Sequence, residues 1–227
     1  MTESQSVSAP ALASSVSASA PTSTPASASA STPASASASA SASRESHLVE
    51  LVDEAGLAVG SATVSDAHQV PGLRHRAFSV FLRDPAGRVL LQQRAAEKSR
   101  FPLSWGNTCC GHPRPDQPVV DAAAVRLAEE LGVRGVELGD VGVYAYYVED
   151  PATGRVEYEY DHVLLGSVAS DLSVMPDPAE VASVQWMDVE ELRDAIVESP
   201  RAYAPWLPGV LAKLILHLDA VERSGER

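Results

Sequence analysis

Short runs in which apolar and polar residues alternate recur along the chain, and that period of two marks half-buried strands. His47–Asp53 reads as the first strand and ends at an Ala55-Gly56 turn. Ala77–Arg83 is a second. Asp84-Pro-Ala-Gly87 then supplies turn chemistry, and Arg88–Arg94 returns as the predicted hairpin partner. Pro102, Gly106, Gly111, Pro113, Pro115 and Pro118 make Arg100–Pro118 a predicted loop. The period then changes. Val119–Gly132 is the clearest helix, with Pro118 suiting its first turn, alanines inside and Gly132 where a C-terminal cap belongs. Val136–Val148 and Val156–Val168 are β-rich runs around a second turn, Asp150-Pro-Ala-Thr-Gly154. Val181–Met187 reads as a strand, and Val189–Glu198 and Ala202–Val221 as helices. Strands in the middle with helices beside them give an α+β or mixed-sheet α/β class.

Residues 1–43 follow no such pattern. They are nearly all Ser, Ala, Thr and Pro, with Glu3 as the one charged side chain. Such a stretch buries too little apolar surface to offset the entropy of ordering it, so a disordered tail is expected at 1–43 and a single domain at 44–227. Much of the 45% hydrophobic content is therefore tail alanine. The formal charge of −13 belongs almost wholly to the domain, which argues against a nucleic-acid surface. No run approaches the roughly 20 apolar residues of a membrane span, and neither a secretory signal nor an organellar transit peptide is recognisable, so a cytoplasmic location is the default. The oligomeric state is open between monomer and dimer.

Four constellations are candidates for chemistry. Arg126, Glu129 and Glu130 fall at i, i+3 and i+4 on one helical face after the Gly/Pro-rich loop, which suits either a Mg²⁺ platform or a solvated ion-pair face. Glu157 and Glu159 share one face of a strand, where two carboxylates repel unless a cation relieves them; a polar outer face is the other reading. His68, His75 and His112 lie in segments flanking loop and hairpin. With the two carboxylates they would make an N/O site for a divalent ion, though each taken singly is ordinary. Cys109 and Cys110 are the only cysteines and are adjacent, so a disulfide framework is excluded and reactivity is the question. Cys110, before Gly-His in a turn-rich loop, is the candidate reactive thiol. Cys109 is the candidate inert one.

Taken together, Ala67-His68, Arg74-His75-Arg-Ala-Phe78, Gln93-Arg94-Ala-Ala-Glu-Lys98, Trp105-Gly-Asn-Thr-Cys-Cys110-Gly-His112-Pro113, Arg126-Leu-Ala-Glu-Glu130-Leu-Gly, Glu157-Tyr-Glu159 and Pro200-Arg-Ala-Tyr-Ala-Pro-Trp206 resemble the type I isopentenyl-diphosphate delta-isomerase family. They run in order over nearly all of His47–His217. The resemblance implies a Nudix-like α/β/α sandwich with a mixed central sheet. It implies a first divalent metal (Mn²⁺, Zn²⁺ or Mg²⁺) on His68, His75, His112, Glu157 and Glu159, and a Mg²⁺ on the substrate diphosphate, held by Glu130 and the Cys110 carbonyl. Cys110 would be one acid-base residue, with Glu159 and its hydrogen-bonded neighbour Tyr147 opposite. Arg94, Lys98 and Arg126 would bind the diphosphate, and Trp206 would stack near a tertiary carbocation. The substrate would be a small isoprenoid diphosphate.

Two departures qualify the match. Counted from Gly111, the general Nudix box Gly-x5-Glu-x7-Arg-Glu-x2-Glu-Glu-x-Gly has Gln117 for its first Glu and Val125-Arg126 for Arg-Glu, leaving only Glu129 and Glu130. That loss removes carboxylates a Nudix hydrolase uses to activate water, and it favours isomerase over hydrolase. A silent Nudix-like binding module would require the loss of Cys110, Glu159 or one of the three histidines, and none is lost. A position before His68 that the family often fills with Lys is Val64 here, with Arg74 and Arg76 as candidate substitutes.

Overall fold

The computed structural model describes residues 44–225; the expectation for residues 1–43 lies outside them. Chain order is β1 (Leu48–Val52), β2 (Ala58–Thr63), a four-residue helix α1 (Val64–Ala67), β3 (His75–Arg83), β4 (Val89–Arg94), β5 (Trp105–Gly106), β6 (Cys109–Gly111) and α2 (Val119–Leu131). β7 (Leu138–Glu149), β8 (Val156–Ser167), β9 (Val181–Met187), α3 (Val189–Glu198), a 3-10 turn at Pro200–Ala202 and α4 (Leu207–Gly225) complete it.

β3 organises the curled mixed sheet. It runs parallel to β8 from His75↔Glu159 to Arg83↔Ser167, and antiparallel to β6 through Phe78↔Gly111, Ser79↔Cys110 and Val80↔Cys109. β7 pairs with β8 across the predicted second hairpin, Tyr146 opposite Glu159 and Tyr147 opposite Tyr158. The predicted β3–β4 hairpin is a correction. The two strands meet at one pair, Arg83↔Val89, and part, β4 going to β5 and β9. Turn residues identify a reversal but do not oblige the strands beyond it to stay paired when other strands compete for their edges.

Because side chains alternate across a strand, β3 divides the molecule. Phe78, Val80 and Leu82 face α2, packing with Cys109, Ala123, Leu127 and Leu131. Phe81 faces the other way, into a core with Leu192 of α3 and Leu207, Val210, Leu211 and Leu214 of α4. Helices thus cover both sides of the sheet. α2 ends as expected at Gly132, whose φ of 68° is left-handed and whose N–H reaches the Ala128 carbonyl at 3.2 Å.

Three further expectations shift. The Arg100–Pro118 segment carries β5 and β6 inside its turns. The last helix starts at Leu207, not Ala202, because Tyr203 and Ala204 are extended: Tyr203 bridges to Trp105, and the Ala204 N–H donates to the Trp105 carbonyl at 2.7 Å. β2 was not anticipated; its mostly exposed Ala-Val-Gly-Ser-Ala-Thr shows no apolar alternation to read.

Candidate active site

A cleft of about 1250 Å³ is lined by residues from β6, β7, β8, α2, the Arg94–Arg100 segment and Trp206. Strand parity decides which side chains enter it. Ser79 and Cys110 are paired across β3 and β6, as are His75 and Glu159 across β3 and β8, so all four project to the α4 side. Cys109, one residue from Cys110, projects to the opposite side and is wholly buried against α2. The adjacent cysteines are thereby assigned different surroundings, as the sequence reading expected.

The three histidines converge, with ring centroids 4.7 to 5.0 Å apart. His112 Nε2 lies 2.9 Å and His75 Nε2 3.6 Å from Glu159 Oε1. His68 Nε2 lies 2.8 Å from Glu157 Oε2, whose other oxygen accepts from Arg100 Nε at 2.9 Å. His68, His75, His112 and Glu159 bring their ligating atoms within 4.8 Å of one another, and Glu157 stands beside them.

Several features fit a cation here. His68 Nδ1 is 2.7 Å from the Val64 carbonyl and His75 Nδ1 is 2.7 Å from the Leu73 carbonyl. Those contacts place the protons on Nδ1 and leave Nε2 lone pairs pointing inward. His68 Nε2, His75 Nε2 and Glu157 Oε2 are buried without a hydrogen-bond partner. Lone pairs facing carboxylate oxygens are costly to bury unless a metal ion lies between them. Burial lowers the His112 pKa to about 4 against the opposing pull of Glu159, so its imidazole is neutral at pH 7, as ligation requires. Burial alone raises the Glu159 carboxyl, but His112 and His75 outweigh it and hold it well below the usual carboxylate range.

Tyr147 is the clearest correction among the site residues. The hydrogen bond expected of it to Glu159 is made by Tyr146, whose hydroxyl donates to Glu159 Oε2 at 2.6 Å. Tyr147 points to the far face, is exposed, and donates to Glu149 at 2.8 Å. The cause is register: on paired antiparallel strands directly opposite residues share a face, and Glu159 is opposite Tyr146.

Cys110 lies in the cleft wall. Its S–H donates to Asn107 Oδ1 at 3.2 Å, and the Trp206 indole N–H donates to the same oxygen at 3.2 Å. The Asn107 amide nitrogen donates to the Val80 and Cys109 carbonyls at 3.2 and 2.9 Å, which fixes that oxygen as the acceptor. Burial, together with the Asp161 carboxyl, pushes the Cys110 thiol up to about 12. Ser79 Oγ joins the two, 3.6 Å from Cys110 Sγ and donating to Asp161 Oδ2 at 2.7 Å. Burial and the Glu159 charge raise the Asp161 carboxyl well above its ordinary value. Asn107, Ser79 and Asp161 had been given no role; Asp161 continues the i, i+2 series of Glu157 and Glu159 and was legible in that spacing.

A second cluster lies along α2. Glu130 is buried and pairs with Arg126, and lies 3.6 Å from Lys98 and 3.1 Å from Gln92 Nε2. Burial raises its carboxyl, but Lys98 and Arg126 outweigh this and bring it down to about 2. Arg126 also reaches Glu129 at 2.5 Å. The buried Glu180, unforeseen from sequence, binds Lys98 and lies 3.4 Å from Arg126. Arg94 donates to the Arg100 and Phe101 carbonyls and sits 5.5 Å over the Trp206 ring. Trp206 is buried, stacked 6.4 Å from Tyr146 and edge-on to Phe101 at 5.4 Å. Neither candidate substitute for a lysine at Val64 lines the cleft: Arg74 binds the Tyr158 hydroxyl at 2.7 Å, and Arg76 binds Glu50 at 3.1 Å.

Comparison with known proteins agrees with this geometry. The NUDIX domain family model matches residues 73–207. A protein of Nocardia farcinica named isopentenyl-diphosphate Delta-isomerase is 60% identical over 163 residues, 72% of this chain and 91% of that one. The chain belongs to the isopentenyl-diphosphate Delta-isomerase family. Proteins of the same name from Streptomyces coelicolor, 46% identical over 74% of this chain and 83% of theirs, and from Halorhodospira halophila, 42% identical over 70% and 89%, are further relatives. A solved structure from Deinococcus radiodurans, 20% identical, covers 72% of this chain and 97% of its own with a TM-score of 0.57, and it supports the fold.

Proposed function

We propose that this protein interconverts isopentenyl and dimethylallyl diphosphate by adding a proton at C4 of the alkene and removing one from C2, so that the C3=C4 bond becomes C2=C3. The observation that carries this reading is that Cys110, Glu159 and Trp206 line one cleft together with the cations Arg94, Lys98 and Arg126. An unactivated alkene needs a close acid, and its tertiary cation needs shielding from water by a face that is not a nucleophile. Trp206, with Tyr146 behind it, offers such a face. Cys110 and Glu159 move the protons, one on each side of the substrate, and exchange roles in the reverse direction. The Tyr146 hydroxyl hydrogen-bonds Glu159 and orients it. On this reading Cys110 transfers protons only and forms no covalent bond with the substrate.

The histidine–glutamate group supports a resident divalent ion, Mg²⁺, Mn²⁺ or Zn²⁺, on His68, His75, His112, Glu157 and Glu159. Such an ion supplies positive charge that fixes the Glu159 carboxylate and sets its basicity. Glu130 and the Cys110 carbonyl would hold a Mg²⁺ that neutralises the diphosphate. A hydrolase is the rival of the same fold. Gln117 and Val125 replace carboxylate and arginine positions of the hydrolytic box, which disfavours it. Incubation with isopentenyl diphosphate and Mg²⁺ separates the two: the dimethylallyl isomer is expected without phosphate release, and phosphate release without isomer contradicts the reading.

A further inference from the structure

The α2 cluster contains a cation that no motif announced. Arg44 lines the same cleft as Lys98 and Arg126. Its guanidinium takes Glu180 Oε1, while Lys98 and Arg126 hang on Glu180 Oε2. Arg44 and Arg126 also share Glu129, at 3.9 and 2.5 Å. Three cations from three separate segments thus converge on one buried carboxylate, an arrangement that multidentate anions such as phosphates also satisfy.

Arg44 is placed by contacts of its own segment. The neighbouring Glu45 binds Ser99 and Arg100 at 3.0 and 3.1 Å and lies 3.5 Å from Arg155. The His47 N–H donates to the Arg44 carbonyl at 3.0 Å, and the Val64 N–H to the His47 carbonyl at 2.8 Å. The strap is tied to both the Ser99–Arg100 loop and α1, and it leaves the Arg44 side chain 30% exposed toward the cleft. α1 itself contributes an apolar Val64 to that wall.

We propose that Arg44 is a diphosphate-binding residue, held on Glu180 in the free protein and turned to the terminal phosphate beside Lys98 and Arg126 when substrate enters. The proposal rests on the isomerase reading for its substrate but not for its anion. The test is calorimetric binding of inorganic pyrophosphate with Mg²⁺ to the full chain, to Arg44→Ala and to Arg44→Lys, with KM, kcat and unliganded Tm alongside. A charge-assisted contact to phosphate predicts that Arg44→Ala weakens pyrophosphate about tenfold and raises KM by a similar factor. On the same account kcat should stay within about twofold, and Arg44→Lys should recover part of the affinity. Unchanged pyrophosphate affinity in Arg44→Ala overturns the proposal, and so does a loss of Tm or kcat with that affinity intact, which would make Arg44 a structural strap only. If the wild type makes no dimethylallyl isomer yet pyrophosphate affinity depends on Arg44, the isomerase reading fails and the Arg44 assignment stands.

Discussion

Cys109 and Cys110 share a peptide bond and little else. One sits in the α2-side core with its thiol pushed well above the ordinary range by burial; the other faces the cleft, bonded to the oxygen that also anchors Trp206. Cys110→Ala is expected to abolish turnover. Cys109→Ala is expected to keep it, at a cost of about 1 kcal/mol in stability for the small buried volume lost. Equal loss of kcat in both would show the wrong cysteine has been assigned. The two tyrosines allow a matching comparison. Tyr146→Phe removes the hydroxyl bonded to Glu159 and should lower kcat by roughly 10²-fold or more, the scale of acid-base contributions. Tyr147→Phe should leave kcat within about twofold, because its hydroxyl meets only Glu149. The histidines, glutamates, thiol and cations that meet in the cleft could all be named from sequence. The tyrosine that meets Glu159 could not, since spacing along one strand does not reveal which residue of its partner lies opposite.

At the scale of elements, α2 was the most legible and carries the most charge into the cleft. Its Glu130 has a carboxyl pKa of about 2 in the folded protein against an ordinary 4.5. Between those values the unfolded chain binds more protons than the folded one, so stability rises with pH there. The contribution is fully present above about pH 4.5 and is lost as pH falls toward 2. Urea midpoints of metal-free protein from pH 6 to pH 2 should therefore fall steeply below pH 4.5, and Glu130→Gln should flatten that slope. An unchanged slope would mean Glu130 is not the group being protonated. The alternation of β7 and β8 and both long hairpin strands was equally visible in sequence. What stayed hidden was pairing at a distance. That β3 would run parallel to β8 and receive β6, bringing His75, Ser79, Cys110 and Glu159 to one face, depends on contacts separated by dozens of residues. Glu180 escaped for the same reason, since Arg44, Lys98 and Arg126 are far from it in the chain, and so did the link from Asn107 to Trp206.

For the whole molecule, the division at Arg44 is the testable claim. Removing Met1–Ser43 should leave kcat, KM and Tm essentially unchanged, because that Ser/Ala/Pro composition offers little apolar surface to pack and Arg44 is retained. A large loss in any of them would show that the tail packs on the domain or serves the site. On the proposed reading the two clusters in the cleft divide the work, the histidines and glutamates beside Tyr146 serving the reacting carbons and the α2 cations the diphosphate. That division predicts a specific labelling result.

The most direct measurement is NMR of isopentenyl diphosphate turned over in deuterium oxide with Mg²⁺. If Cys110 and Glu159 deliver solvent-derived protons as proposed, the dimethylallyl product carries deuterium in the methyl group formed from C4. A product isomer free of solvent deuterium, or phosphate in place of isomer, would contradict proton transfer by these two residues.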